Sequence, residues 1–337
     1  MNLLRKILFP IVPIYYAVTW LRNVLYDFGI KASKKYDFPI IAVGNLSVGG
    51  TGKSPMVEYL IGLLKNEINV GTLSRGYKRE TKGFQLVQSS STAREVGDEP
   101  LQFKTKFKNV TVGVDGNRQR GIANLRSLTP KPETIILDDA YQHRKVKAGL
   151  YILLTAYYNL YTSDILLPTG DLREPRKGAR RADIIVVTKC PIGISDKEKQ
   201  DIARKLNIKD EQSLFFSSIS YGKDLMCSSG SRSIDLFKES SFALVTGIAT
   251  PKPLLDYYHS LGLKFDHINF PDHHNFSDKE LIELEKNKCI VTTEKDYTRL
   301  ASELSMKNIW YQPIEMQFLA DKEAFEDLIL KYVKEDM

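Results

Sequence analysis

Eleven residues, NLSVGGTGKSP from Asn45 to Pro55, hold the spacing most suggestive of chemistry. Set against the phosphate-loop template G-x-x-x-x-G-K-[ST], the matching positions are Gly52, Lys53 and Ser54. Ser47 takes the first glycine's place, and Val48, Gly49, Gly50 and Thr51 fill the loop. Glycine lets successive backbone N–H groups turn inward around an anion, and a following helix N-terminus adds partial positive charge. In such a loop Lys53 reaches the β- and γ-phosphates of a nucleotide, and Ser54 meets a magnesium ion.

A phosphate loop also needs an acid at the tip of a neighbouring strand. Apolar Ile135, Ile136 and Leu137 run directly into Asp138 and Asp139, and either aspartate could hold Mg2+ directly or through water. The residues count against two classes of loop. Partitioning ATPases carry a lysine just before the double glycine, where this chain has Val48. A guanine reader needs N-K-x-D, but VVTKCP has Thr188 for Asn and Pro191 for Asp, which favours ATP. These residues point to an ATP-dependent phosphoryl transferase that still needs an acceptor and a base.

The elements around these groups read as an α/β fold. PIIAVGN, NVGTLS, NVTVGVD, ETIILDD, LYILLTAY and DIIVVTK are strand candidates, and SPMVEYLIGLLKN is a helix with Pro55 in its first turn. Strands apolar on both faces suit a mostly parallel sheet flanked by helices, as in P-loop NTPases. After Ser213 the pattern predicts a strand-containing linker, and a second β-α-β series begins at FALVTGIA. Its helices are predicted after Thr250-Pro251 and at the capping box SDKE, with CIVTTEKD as strand and loop. The expected division is an N-terminal helical segment (1–36), a phosphate-loop domain (37–212), a linker (213–240) and a smaller α/β lobe (241–337).

The chain has 337 residues and a formal charge of +7. Six Lys or Arg against one acid lie within residues 1–36, so the remainder is near balance, which argues against a nucleic-acid partner. Three cysteines without a CxxC pair suit a reducing compartment. Ile7 to Leu21 carries no charge and includes Pro10, Pro13 and Trp20. As a helix it is about 22 Å long against a hydrocarbon core of about 30 Å. It reads as a helix lying in a membrane interface, with core packing as the other reading.

Taken together, VGNLSVGGTGKSP, LSRGY, GDEP, DDAYQH, LPTGDLREP, PDHHNF and TTEKD occur in an order that resembles the tetraacyldisaccharide 4′-kinase family. The resemblance implies transfer of phosphate from ATP·Mg2+ to the 4′-hydroxyl of an acylated glucosamine disaccharide 1-phosphate. It also implies a membrane surface as partner, at the cytoplasmic face of a bacterial inner membrane, with no obligate protein partner inferred. Asp98 would be the general base and His273 its partner, chosen over His274 on the family pattern alone. Arg173 would stabilise transferring charge and Glu174 would help hold Mg2+. Arg75, Tyr77, Arg118, Gln142 and His143 would lie near the acceptor. The rival is a membrane-recruited ATPase switch that forms no phosphorylated product.

Overall fold

The computed structural model describes residues 5, 7–272, 274–301, 303–306 and 308–335. A nine-stranded sheet forms the body. Its centre is β1 (Ile40–Asn45), every residue of which is buried. On one side stand β5 (Thr134–Leu137), β2 (Val70–Ser74), β4 (Thr111–Val114) and the short β3 (Gln85–Leu86). On the other stand β6 (Leu150–Ala156), β7 (Ile184–Thr188), β8 (Ser213–Tyr221) and β15 (Ile314–Phe318). Pairing is parallel from β8 through β4, and only the edge strands β3 and β15 are antiparallel. Helices cover both faces, so the inner strands carry Ile, Val and Leu at nearly every position rather than in alternation.

The segment expected to be a strand-containing linker divides between two sheets. β8 extends the large sheet beside β7, and the chain returns from the small sheet to add β15 beyond it. The C-terminal helix α10 (Lys322–Glu335) packs Phe325, Ile329 and Val333 into the large-sheet core. The expected lobe boundaries, 213–240 and 241–337, are therefore redrawn: the separate lobe runs from β9 to β14. The alternating, half-polar pattern of β8 conceals its membership of the large sheet.

The smaller lobe has six strands. β12 (Phe265–Asn269), β11 (Phe242–Thr246), β13 (Ile290–Thr293) and β14 (Ile309–Gln312) are parallel, and the hairpin of β9 (Asp224–Cys227) and β10 (Gly230–Ser233) closes the edge. TTEKD does not end in a loop. Thr293 caps a helix of Glu294–Leu300 by accepting from the Asp296 N–H, because the threonine supplies the side-chain acceptor a helix start needs.

The N-terminal helix α1 (Val12–Asp27) buries none of its residues. Polar tethers hold it and the residues before it along the body: Arg5 pairs with Asp171 at 2.7 Å, Tyr15 donates to the Arg173 carbonyl, and Asn23 donates to Glu174. Ile14 and Val18 remain 66% and 62% exposed. No described helix is long and apolar enough to cross a membrane.

Candidate active site

Residues 46–52 leave β1 and enter α2 (Lys53–Leu64), the connection a phosphate loop requires. Gly49 and Gly52 have φ of +102° and +83°, which a side chain would strain. Asn45 donates to the Thr51 hydroxyl at 2.7 Å, and Thr188 at the tip of β7 donates to the Thr51 carbonyl at 2.8 Å. The DLRE segment clasps the other flank, where Val48 N donates to Asp171 O and Arg173 N donates to Leu46 O. The loop is thus fixed by hydrogen bonds from three directions, while Lys53 and Ser54 stand in its first helical turn.

Asp138 and Asp139 end β5 beside this loop and serve opposite roles. Asp139 takes a two-oxygen contact from Arg173 at 2.9 Å and lies 3.7 Å from Lys53. Burial opposes ionisation, yet the Lys53 and Arg173 cations hold its carboxyl below the ordinary range. Its backbone sits at φ +47°, an unusual conformation for a non-glycine residue. Asp138 is buried, and among the described residues only the Ser74 hydroxyl donates to its Oδ2 and nothing meets its Oδ1. Burial, then Glu99 and Asp139, push its carboxyl up to about 7.

Those unsatisfied groups fit a divalent cation. The orphaned, fully buried Asp138 oxygen and the Ser54 hydroxyl, bonded to Glu99 whose charge acts on Asp138, are hard oxygen donors, and Mg2+ is held by one or two carboxylates plus water and phosphate. Among the described residues no group of three or more His, Cys, Asp or Glu side chains forms a ready metal cage. Glu99, to which sequence reasoning gave no role, accepts from the Ser54 hydroxyl at 2.9 Å. The signal was present in GDEP, one residue beyond Asp98.

Asp98 opens α4, an Asp98–Lys106 helix that follows the short helix α3 (Ala93–Val96). It faces Arg299 of α9 (Glu294–Leu300) at 3.7 Å. Arg299 is itself fixed by an ion pair with Asp296 and by donation to the His274 carbonyl. Asp296 in turn accepts from Gly247 N and the Thr293 hydroxyl. Neither Arg299 nor Asp296 was singled out from the sequence. At the other end of the same helix pair, Lys106 lies 2.7 Å from Glu58 of α2 and 3.3 Å from Glu294 of α9. Helices α4 and α9 therefore run antiparallel, with ion pairs at both ends of their contact.

Other expectations change. Glu174 was expected to help hold Mg2+, but its oxygens accept from Arg181, Gln142 and Asn23, so it serves as a strut between α1 and the body. Arg118, expected at the acceptor, is 2% exposed and donates to the carbonyls of Asp115 and Asp138, shaping the β5 tip from beneath. The Gln142 amide donates to the Asn45 carbonyl and to Glu174, supporting the strand that feeds the loop instead of reaching an acceptor. His143 is half-buried, and burial followed by the Arg118 charge pushes its pKa down to about 4. Arg75 and Tyr77 are exposed. His273 lies outside the described residues; His274 is engaged with Glu280 at 3.0 Å and stacks on Phe270.

A parallel sheet carrying a glycine loop, a lysine–serine pair in the first helical turn and strand-end carboxylates defines a phosphate-loop nucleotide-dependent enzyme. A family model described as LpxK, tetraacyldisaccharide-1-P 4′-kinase, matches residues 4–334. Tetraacyldisaccharide 4′-kinase of Flavobacterium johnsoniae is 49% identical, with 100% of this chain and 99% of that protein covered. Its counterpart in Bacteroides thetaiotaomicron is 43% identical, covering 99% and 94%. The crystal structure of LpxK from Aquifex aeolicus in complex with ATP has a TM-score of 0.81 and 32% identity, covering 98% of this chain and 100% of that one. The chain belongs to the tetraacyldisaccharide 4′-kinase family.

Proposed function

We infer that the chain catalyses its family's reaction: it is an ATP-dependent kinase that phosphorylates the 4′-hydroxyl of tetraacyldisaccharide 1-phosphate in lipid A biosynthesis. The observation that carries the reaction's geometry is the 2.9 Å contact between Ser54 and Glu99. It brings the first turn of the nucleotide loop to the neighbour of Asp98, so the nucleotide tail and a carboxylate base adjoin.

In our reading the loop amides from Ser47 to Gly52 and the Lys53 ammonium grip the polyphosphate. Ser54, Asp138 and Glu99 are the residues that would hold Mg2+, which draws charge from the phosphate oxygens when bound. Arg173, paired with Asp139, lies where it can turn towards transferring charge. Asp98 accepts the proton of the 4′-hydroxyl as the new O–P bond forms and the bond to ADP breaks. Arg299 keeps that carboxylate oriented. Arg75 and Tyr77, exposed beyond the tip of β2, offer a cation and an aromatic ring to the sugar phosphate.

Helix α1 supplies the membrane contact in this reading. Its polar side is spent on tethers to the body, while Ile14, Val18 and Trp20, with Phe9 just before it, stay exposed, matching a helix that lies in the interface of the cytoplasmic leaflet. The lipid acceptor would then reach the site without leaving the bilayer surface.

The test is transfer of labelled γ-phosphate to the disaccharide 1-phosphate. The kinase reading expects an organic-extractable product labelled at the 4′ position. Release of label only as free phosphate, the outcome of a switch ATPase, would overturn it.

A further inference from the structure

The phosphate loop lacks a second lysine in sequence, since Val48 stands where some loops carry one, but the fold brings an ammonium to the loop from elsewhere. Lys189 follows β7 directly, in the left-handed region at φ +58°. Its Nζ reaches the loop so closely that a Cβ placed on Gly50 would lie 3.5 Å from it. The residue before it, Thr188, donates to Thr51 O and packs within 3.6 Å of the Cβ position of Gly52. Thr188 and Lys189 therefore form one wall of the loop.

Lys189 is half-buried, and among the described residues no hydrogen bond or carboxylate engages its ammonium. Lys53 has Asp139 and Arg173 has Asp139, so the other two cations of the cradle are paired. A partly desolvated ammonium beside a second ammonium is unfavourable unless an anion joins them. Burial and the Lys53 charge push its pKa down, consistent with a site short of negative charge. A non-glycine residue held at positive φ also belongs with the strained positions found at functional sites.

We propose that Lys189 is a nucleotide-contacting residue whose ammonium binds the polyphosphate of ATP from the β7 side of the loop. This rests on the reading that residues 47–54 hold the nucleotide. It completes a two-sided clamp, with Lys53 entering from α2 and Lys189 from across the loop.

The test uses the full chain with Lys189→Met, Lys189→Arg and, separately, Lys53→Met. Lys189→Met should weaken ATP binding about 10- to 100-fold, the range for a lost charged hydrogen bond, and Lys189→Arg should recover most of that loss. Adenosine binding should be unchanged in both. Without nucleotide the Met variant should melt no lower than wild type, while its ATP-induced rise in Tm shrinks. Wild-type ATP affinity in Lys189→Met, equal losses in the Met and Arg variants, or a proportionate loss of adenosine binding would each overturn the assignment. So would a lower nucleotide-free Tm with the ATP-induced rise intact, which marks a purely structural lysine. Lys53→Met separates the premise: if it binds ATP like wild type, the loop reading fails, whereas impairment there with none at Lys189 sinks only the new assignment.

Discussion

Arg299 Nε stands 3.7 Å from Asp98 Oδ2, a contact made by one lobe upon the other. Asp98 begins a helix packed on the large-sheet domain, while Arg299 lies on α9, which follows directly from the small sheet's β13. The carboxylate proposed as base is thus oriented by a residue about two hundred positions further along the chain, whose own guanidinium is fixed by Asp296.

That pairing predicts a separation of kinetic effects. Asp98→Asn should lower kcat by about 10²- to 10⁴-fold, the usual contribution of a general base. Arg299→Ala should lower kcat less, with the KM for ATP little changed, because the nucleotide loop does not touch it. Steady-state kinetics with each substrate varied checks this; a loss confined to the KM for ATP would contradict the orienting role.

Asp138 makes the Mg2+-free protein sensitive to pH. Its folded-state pKa of about 7 lies above the ordinary carboxyl value. The fold therefore favours the protonated form, and its contribution to stability is present below about pH 4 and lost as the pH rises through about 7. Asp138→Asn cannot ionise, so its stability relative to wild type should grow over that window by on the order of 2–4 kcal/mol. Mg2+ with nucleotide should reverse the trend in wild type alone. Denaturant unfolding at pH 5 and pH 8, with and without Mg2+·ATP, measures both effects.

Lys106 joins the lobes through Glu58 and Glu294. Burial alone would discharge it, but the two carboxylates raise its pKa and keep it protonated. Burial and then Glu58 push Glu294 up to about 7. Lys106→Met leaves both carboxylates without a cation and should destabilise by about 3–5 kcal/mol at pH 8. The loss should narrow at pH 5, where the carboxyls of the variant take up protons. Equal losses at the two pH values would show that Lys106 acts through packing alone.

The exposed side of α1 yields a prediction free of folding effects. Ile14→Asp with Val18→Asp places charges at positions already open to water, so Tm should move little. Binding to vesicles should fall at least tenfold, since two apolar contacts are worth about 1.5–3 kcal/mol each when fully buried. Vesicle sedimentation reads this directly, and unchanged binding would remove α1 from the membrane contact.

Much of the large sheet was legible because its signals are local. PIIAVGN, ETIILDD and DIIVVTK are apolar on both faces, as strands covered by helices must be, and the glycine loop announces itself between a strand and Pro55. The small lobe's helices were marked by Pro251 and by the Ser277 capping box. By contrast, β15 joins the large sheet through an antiparallel contact with β8, between residues roughly a hundred apart, and no period in the sequence encodes that pairing. TTEKD likewise reads as a strand end; that Thr293 caps a helix aimed at Asp98 depends on where β13 lies.

The site divides in the same way. Residue type and spacing alone determined the phosphate loop, its lysine and serine, and the aspartate pair at a strand tip, because those groups act within one βα turn or directly after an apolar run. Only the tertiary structure decided that Glu99 meets Ser54, that Arg299 meets Asp98, that Glu174 is a strut, and that the Lys189 ammonium reaches the loop at Gly50. Those relationships depend on distance through space between separate strands and lobes. Charge and hydrogen bonding act over a few ångströms wherever the fold brings groups together, and the order of residues along the chain does not carry that information.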